Sequence, residues 1–202
     1  MIPLFPLNTV LFPDGRLGLQ VFEVRYLDMM KKCIADSEEF GVVALAHGDE
    51  VRKPGQQEAL ALIGTLARIV DWTAPLPALL HVTCLGTRRF RIVSAGQLKH
   101  GLWMAEIEPL PDDMTVPVPD EQQDVANALG TLIRSLQQRG VSEVQMPMGA
   151  PYRLDESGWV ANRWCELLEL DLPQKQLLLA QDNPVLRLEL VQDALSDSGF
   201  LT

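Results

Sequence analysis

Basic side chains are in short supply. Against 27 Asp and Glu the 202 residues carry only 17 Lys and Arg, a formal charge of -10 with a sequence pI near 4.7. So acidic a chain repels phosphate backbones, which argues against nucleic acid as the first partner to consider. Cysteine is sparse too. Cys33, Cys84 and Cys165 are odd in number and far apart, which fits neither a disulfide framework nor a CxxC metal clip and suits a reducing compartment. No stretch approaches the roughly 18 to 20 uncharged apolar residues of a membrane-spanning helix. The opening MIPLFPLNTVLFPDG holds prolines but no basic region or cleavage site. These features predict a cytoplasmic protein with no membrane partner.

Motifs that carry chemistry are missing as well. A phosphate loop needs glycine-rich backbone followed by Lys and Ser or Thr; after Gly96 and Gly101 stand Leu102 and Trp103, so that segment reads as a turn between strands. His47, His81 and His100 are scattered singly, without the paired spacing of a zinc site. His81 and Cys84 are three apart, which on a strand puts them on opposite faces. Neither GxSxG nor SxxK occurs. Asp112-Asp113 and Glu38-Glu39 read as solvated pairs rather than a glycosidase couple. The expectation is no catalytic residue, no metal and no cofactor.

What is present is an ordinary globular balance, 47% apolar and 22% charged, divided unevenly. Most of the excess acid lies after residue 110, and between Pro109 and Pro119 four prolines favour an extended strap. The expected division is 1–115 for a first lobe and 116–202 for a second. Before the strap the apolar period is two, with strands expected at Leu17 to Phe22, Val42 to His47, Leu62 to Trp72, Leu79 to Cys84, Arg89 to Ile92 and Leu102 to Glu108. Gly86-Thr87 reads as a hairpin turn, and the set as a small barrel or rolled sheet. One helix interrupts it, Glu23 to Asp36, with Tyr26, Leu27, Met30, Cys33 and Ile34 as its apolar stripe. After the strap the period becomes helical. Val125, Ala126, Leu129, Leu132, Ile133 and Leu136 form one face, with Asp120 placed to cap and Gly140 to end it. A further helix is expected from Ser157, with Val160, Trp164, Leu167 and Leu168 on one side. Leu172-Pro173 and Asn183-Pro184 mark two more starts.

Arg88-Arg89-Phe90-Arg91 is the one basic cluster with an aromatic. Arg89 and Arg91 share a strand face and are expected to lie exposed or to pair with acids. The cysteines read as small core hydrophobes. Trp72 is a tryptophan expected near a strand end and partly exposed.

Ile2-Pro3-Leu4-Phe5-Pro6-Leu7, then Val10-Leu11-Phe12-Pro13-Asp14-Gly15 and Phe22-Glu23-Val24-Arg25-Tyr26, resemble the start of the amino-terminal domain of the Lon protease family. That pattern runs PLFPL, VLFPG and FEPRY; here Asp14-Gly15 extends the turn and Val24 stands where proline is usual. The resemblance continues through Ile63 to Ile69, Gly86 to Ile92, Met104 to Asp113 and Leu167 to Leu179. It implies an α+β protein: a PUA-like β pseudo-barrel amino-terminal lobe, then a carboxy-terminal α-helical bundle. It also implies recognition of protein substrates, while ATPase and serine-lysine peptidase modules do the chemistry in full-length relatives. Neither a Walker motif nor that dyad is found in this sequence.

The expected function is a non-enzymatic protein-binding module that captures unfolded or exposed apolar segments, alone or as adaptor for a protease or ATPase partner, with a homo-oligomer left open. Two rivals are a hydrolase with a noncontiguous site and an RNA-binding PUA-like protein. Candidate contacts are Phe12, Phe22, Tyr26, Met29 and Met30, because aromatics and Met adapt to varied partners. Glu23 and Arg25 join them from the matching segment, and a concavity between the lobes is the expected setting.

Overall fold

A computed structural model describes residues 1–48, 58–143 and 145–200. The chain divides into two compact units, Met1–Pro111 and Asp112–Thr202. The first is β-rich and the second helical, the order that an α+β reading predicts.

The first unit contains strands β1 (Ile2–Leu7), β2 (Arg16–Val21), β3 (Phe40–His47), β4 (Ala59–Leu76), β5 (Leu79–Gln97) and β6 (Trp103–Pro109), with helix α1 (Val24–Asp36) between β2 and β3. The six form one sheet in the order β2-β5-β4-β3-β1-β6, and β6 returns to pair with β5, so five strands close a ring. β1 and β3 run parallel, while the other pairs are antiparallel. β2 lies outside the ring against the first half of β5, from Val21 opposite Leu80 to Arg16 opposite Leu85.

The two apolar alternations expected at Leu79 to Cys84 and Arg89 to Ile92 belong to one strand, and Gly86-Thr87 is not a hairpin turn. The chain reverses at Pro77 and Ala78 instead, between β4 and β5. Gly86 is glycine because another backbone comes close. A Cβ there would stand 2.3 Å from the Phe12 carbonyl oxygen, and the Gly86 amide donates to the Gly15 carbonyl at 2.8 Å. Glycine within a strand often marks such an approach.

α1 packs its stripe into the larger core cluster, where Tyr26, Met30 and Cys33 meet Phe5, Phe40, Val82 and Cys84. Burying each large apolar side chain contributes about 1.5–3 kcal/mol. The helix ends at Ser37, whose φ of 54 is left-handed, with the Glu38 amide donating to the Cys33 carbonyl. A smaller cluster gathers Leu4, Val43, Phe90 and Ala105.

The second unit holds α2 (Gln123–Gln138), α3 (Ser157–Leu167), α4 (Leu172–Ala180) and α5 (Pro184–Asp197). Asp120 does not cap α2. It opens a short 3₁₀ turn, Asp120–Gln122, and the residue preceding α2 is Gln122, which makes no side-chain cap. Gly140, at φ 73, closes the carboxyl end by donating to the Gln137 carbonyl. α3 is buried from Ser157 through Cys165 on every side rather than along one stripe, so Asn162 and Arg163 lie inside it. α4 starts with a capping box that the sequence reading lacked: Asp171 accepts from the Gln174 amide, and the Gln174 side chain accepts from the Asp171 amide. Asn183 caps α5 through the amides of Val185 and Leu186, with Pro184 in the first turn.

Arg187 of α5, fully buried, joins four segments. It grips Asp113 with two bonds of 2.5 and 3.0 Å, donates to Asn162 at 2.9 Å and to the Leu178 carbonyl at 3.0 Å, and reaches the Gln181 carbonyl. This fork spends nearly every guanidinium donor on its own unit. Among the described residues no helix is long and apolar enough to cross a membrane.

Candidate functional site

The junction between β2 and α1 sorts its side chains sharply. The strand buries alternate residues, Leu19 and Val21, so the following position turns outward and Phe22 is 57% exposed. Val24, the first residue of α1, is 72% exposed. A first helical position has no intrahelical partner for its amide, which is why the related pattern can carry proline there.

Arg25 then folds back as a clamp. Its Nε donates to Glu23 Oε2 at 3.0 Å, its Nη1 to the Gly101 carbonyl at 2.7 Å, and its guanidinium lies 4.5 Å from the centre of the Tyr26 ring. These contacts hold the β5–β6 turn against the start of α1. Tyr26 stacks on Phe5 with ring centroids 4.2 Å apart.

Two grooves meet at this junction. One, of about 290 Å³, runs between β1 and β2 and ends at Phe22, Glu23 and Tyr26. The other, of about 540 Å³, is walled by Phe22, Glu23, Val24, Arg25, Asp28 and His100. The structure thus brings Phe22, Glu23, Arg25 and Tyr26 of the candidate set together. Phe12 and Met30 are fully buried and Met29 nearly so, in the interior of the first unit. Val24, Asp28 and His100 join the rim without having been singled out. For Val24 the signal was available: an apolar residue at the first position of a helix whose stripe begins two residues later has no core to face.

Cys33, Cys84 and Cys165 are free and buried, as small core hydrophobes would be. Burial pushes each thiol up, Cys33 to about 11 and Cys84 and Cys165 to about 12, so none is an activated nucleophile at neutral pH. His81 is exposed while Cys84 is buried, consistent with opposite strand faces. Trp72 is 48% exposed but lies inside β4 rather than at its end.

The arginine cluster does not form one exposed face. Arg88 and Arg91 are exposed, but Arg89 is only 3% exposed. The chain leaving β6 covers it: Leu110 donates to the Arg89 carbonyl at 3.0 Å, and Arg89 Nη2 reaches the Pro111 carbonyl at 3.4 Å. The shared strand face was foreseeable from parity; the segment covering one of its members was not.

Known proteins match over nearly the full chain. The family model for the ATP-dependent protease La (LON) substrate-binding domain matches residues 1–197. A Lon N-terminal domain protein from Xanthomonas campestris, solved by crystallography, is 31% identical, with a TM-score of 0.76 over 95% of this chain and 96% of its own. The N-terminal domain of a Mycobacterium avium complex Lon protease shares the fold at 18% identity, with a TM-score of 0.62 over 97% of this chain and 98% of its own. Lon protease 2 of Myxococcus xanthus is 27% identical over 97% of this chain, which spans 23% of that relative's length. Their agreement in sequence pattern and in strand-and-helix order closes the question of kinship: the chain belongs to the Lon substrate-binding domain family.

Proposed function

We propose that this protein is a non-enzymatic polypeptide-binding module, and that it takes exposed apolar segments of other proteins at the β2–α1 junction. One observation carries the site: Phe22 and Val24 stand exposed where two grooves meet. Apolar side chains held outward on a rigid strand-to-helix corner gain by being covered, and a groove on either side gives a partner chain room to lie. Arg25 and Tyr26 set the corner from beneath, and Glu23 adds a polar rim. Membership of a substrate-binding domain family of an ATP-dependent protease supports the same partner class.

The test uses reduced, carboxamidomethylated lactalbumin as a permanently unfolded probe, labelled for fluorescence anisotropy. A Phe22→Ser/Val24→Ser variant removes two side chains that are mostly exposed, so its circular dichroism should match the parent. Its affinity should fall about tenfold or more, as expected when two apolar anchors are lost. Equal affinity in both proteins removes this site. ATP and peptide turnover are expected to stay silent, and turnover abolished by one substitution in this chain would overturn the non-enzymatic reading.

A further inference from the structure

β2 carries an unfinished sheet edge. Among the described residues it pairs with β5 alone. The turn before it shows which peptide groups that pairing uses: the Asp14 amide donates to the Gly86 carbonyl at 2.9 Å, and the Gly86 amide donates to the Gly15 carbonyl at 2.8 Å. Even-numbered residues of β5 therefore direct their amides and carbonyls toward β2. Their partners in register, Leu17, Leu19 and Val21 opposite Cys84, Val82 and Leu80, direct theirs toward β5. By the same alternation the peptide groups of Gly18 and Gln20 point away from the sheet.

The groove of about 290 Å³ lies along that edge, with Leu17 to Val21 as one wall and Phe5, Pro6 and Leu7 as the other. The opposite wall is free to face it because β6 pairs with β1 only at Ile2, Pro3 and Leu4. Open edges are usually guarded by charge, proline or a bulge. From Leu17 to Val21 there is no charged residue and no proline, and the register with β5 runs without a shift. On the sheet face at Gly18 there is open space, since a Cβ there would meet nothing within 4 Å.

We propose that the open edge of β2 accepts an extended polypeptide segment as an added strand. Its backbone bonds to Gly18 and Gln20, and its alternate apolar side chains enter the groove beside Phe5 and Tyr26. The occupant follows from the geometry. Outward peptide groups on β2 recur every second residue, about 6.6–6.8 Å apart, a repeat that the backbone of another extended chain matches and that a small anion or sugar does not. An edge uncharged from Leu17 to Val21, on an acidic protein and with Glu23 at the groove's end, selects a segment without acidic side chains, alternating apolar and neutral polar residues. This inference rests on the protein-binding reading and deepens it by naming the form of the bound segment.

The experiment compares three fluorescein-labelled peptides of alternating valine and threonine: one unmodified, one N-methylated at every valine, one N-methylated at every threonine. An added strand directs only one of the two alternate sets of amides at β2. One methylated peptide should therefore bind about tenfold more weakly or worse, the scale of lost backbone hydrogen bonds, while the other binds nearly as the parent does. In the protein, Gly18→Pro, which deletes an outward N–H, should weaken the unmodified peptide, and Gly18→Ala, which keeps it, should not. If Gly18→Pro fails to fold, the peptide comparison decides alone. Equal binding of both methylated peptides overturns the proposal. So does failure of the unmodified peptide while unfolded lactalbumin still binds, which leaves the polypeptide-binding reading standing; loss of both probes removes the two together. Self-association that excludes the peptide overturns it in favour of pairing between copies of this edge.

Discussion

The Phe12 carbonyl oxygen fills the space beside Gly86 so completely that an added Cβ would stand 2.3 Å from it. That oxygen belongs to backbone that also accepts from the Gly15 amide at 2.9 Å, so it has little room to withdraw. Gly86→Ala should cost about 1–3 kcal/mol, the range for overfilling a packed interior. Gly18→Ala, in open space on an accessible strand, should instead leave stability unchanged or raise it by about 0.4–1 kcal/mol through the unfolded chain. Urea midpoints of the two variants at constant slope measure the difference.

Arg187 predicts a larger effect in the second unit. Arg187→Met keeps length and apolar bulk but leaves the Asp113 carboxylate, the Asn162 amide oxygen and two carbonyls without the donors they now share. Removing one partner of a buried ion pair costs about 3–5 kcal/mol. Adding Asp113→Asn should restore part of that loss, with a coupling of about 0.5–3 kcal/mol in the double-mutant cycle. Thermal unfolding of the four proteins checks it; strictly additive losses would contradict the pairing.

The thiols predict an alkaline weakness. Burial holds Cys33 at about 11 and Cys84 and Cys165 at about 12, against an ordinary 9.0. Below 9 both folded and unfolded thiols keep their protons, and stability owes nothing to pH from this source. Between 9 and about 11–12 the unfolded chain loses protons that the folded chain retains, so stability falls as pH rises. Urea midpoints should therefore decline through that window, and less in a variant with Cys84→Ala and Cys165→Ala than in the parent. Alkylation by iodoacetamide at pH 8 should be slow in the native protein and fast in urea.

Periodicity alone located much of this fold. The alternation at Leu17 to Phe22 and Leu102 to Glu108 fell within a residue of β2 and β6, because strands with one covered face write that face into every second position. The α1 and α2 stripes were legible for the same reason at helical spacing. Failures came where a distant segment set the outcome. Gly86 looked like a turn because glycine has two uses, and only the approach of Phe12 distinguishes them. Arg89 was expected exposed or paired with acids, and its burial was hidden because its cover arrives from Leu110 and Pro111. Asp120 had the right chemistry for a cap, but a 3₁₀ turn intervened before α2 began.

The candidate site was half legible. The Phe22 to Tyr26 segment could be found from its likeness to a family pattern, and the outward turn of Phe22 follows from strand parity. The open edge of β2 could not be read, because local alternation shows which face a strand buries but not how many neighbours it has.

One long strand, β5, has a consequence for the order of events during synthesis. Among the described residues it is the one strand that pairs with β2, and it also seals the ring by reaching both β4 and β6. Residues before Leu79 can pair β1 with β3 and β3 with β4, but β2 must wait for β5, with Leu19 and Val21 lacking Val82 and Leu80 meanwhile. Translation at about 5–20 residues per second makes that delay a matter of seconds, within which nascent-chain chaperones can bind. Pausing translation just before β5 should therefore be far more hazardous to this protein than pausing just after β6.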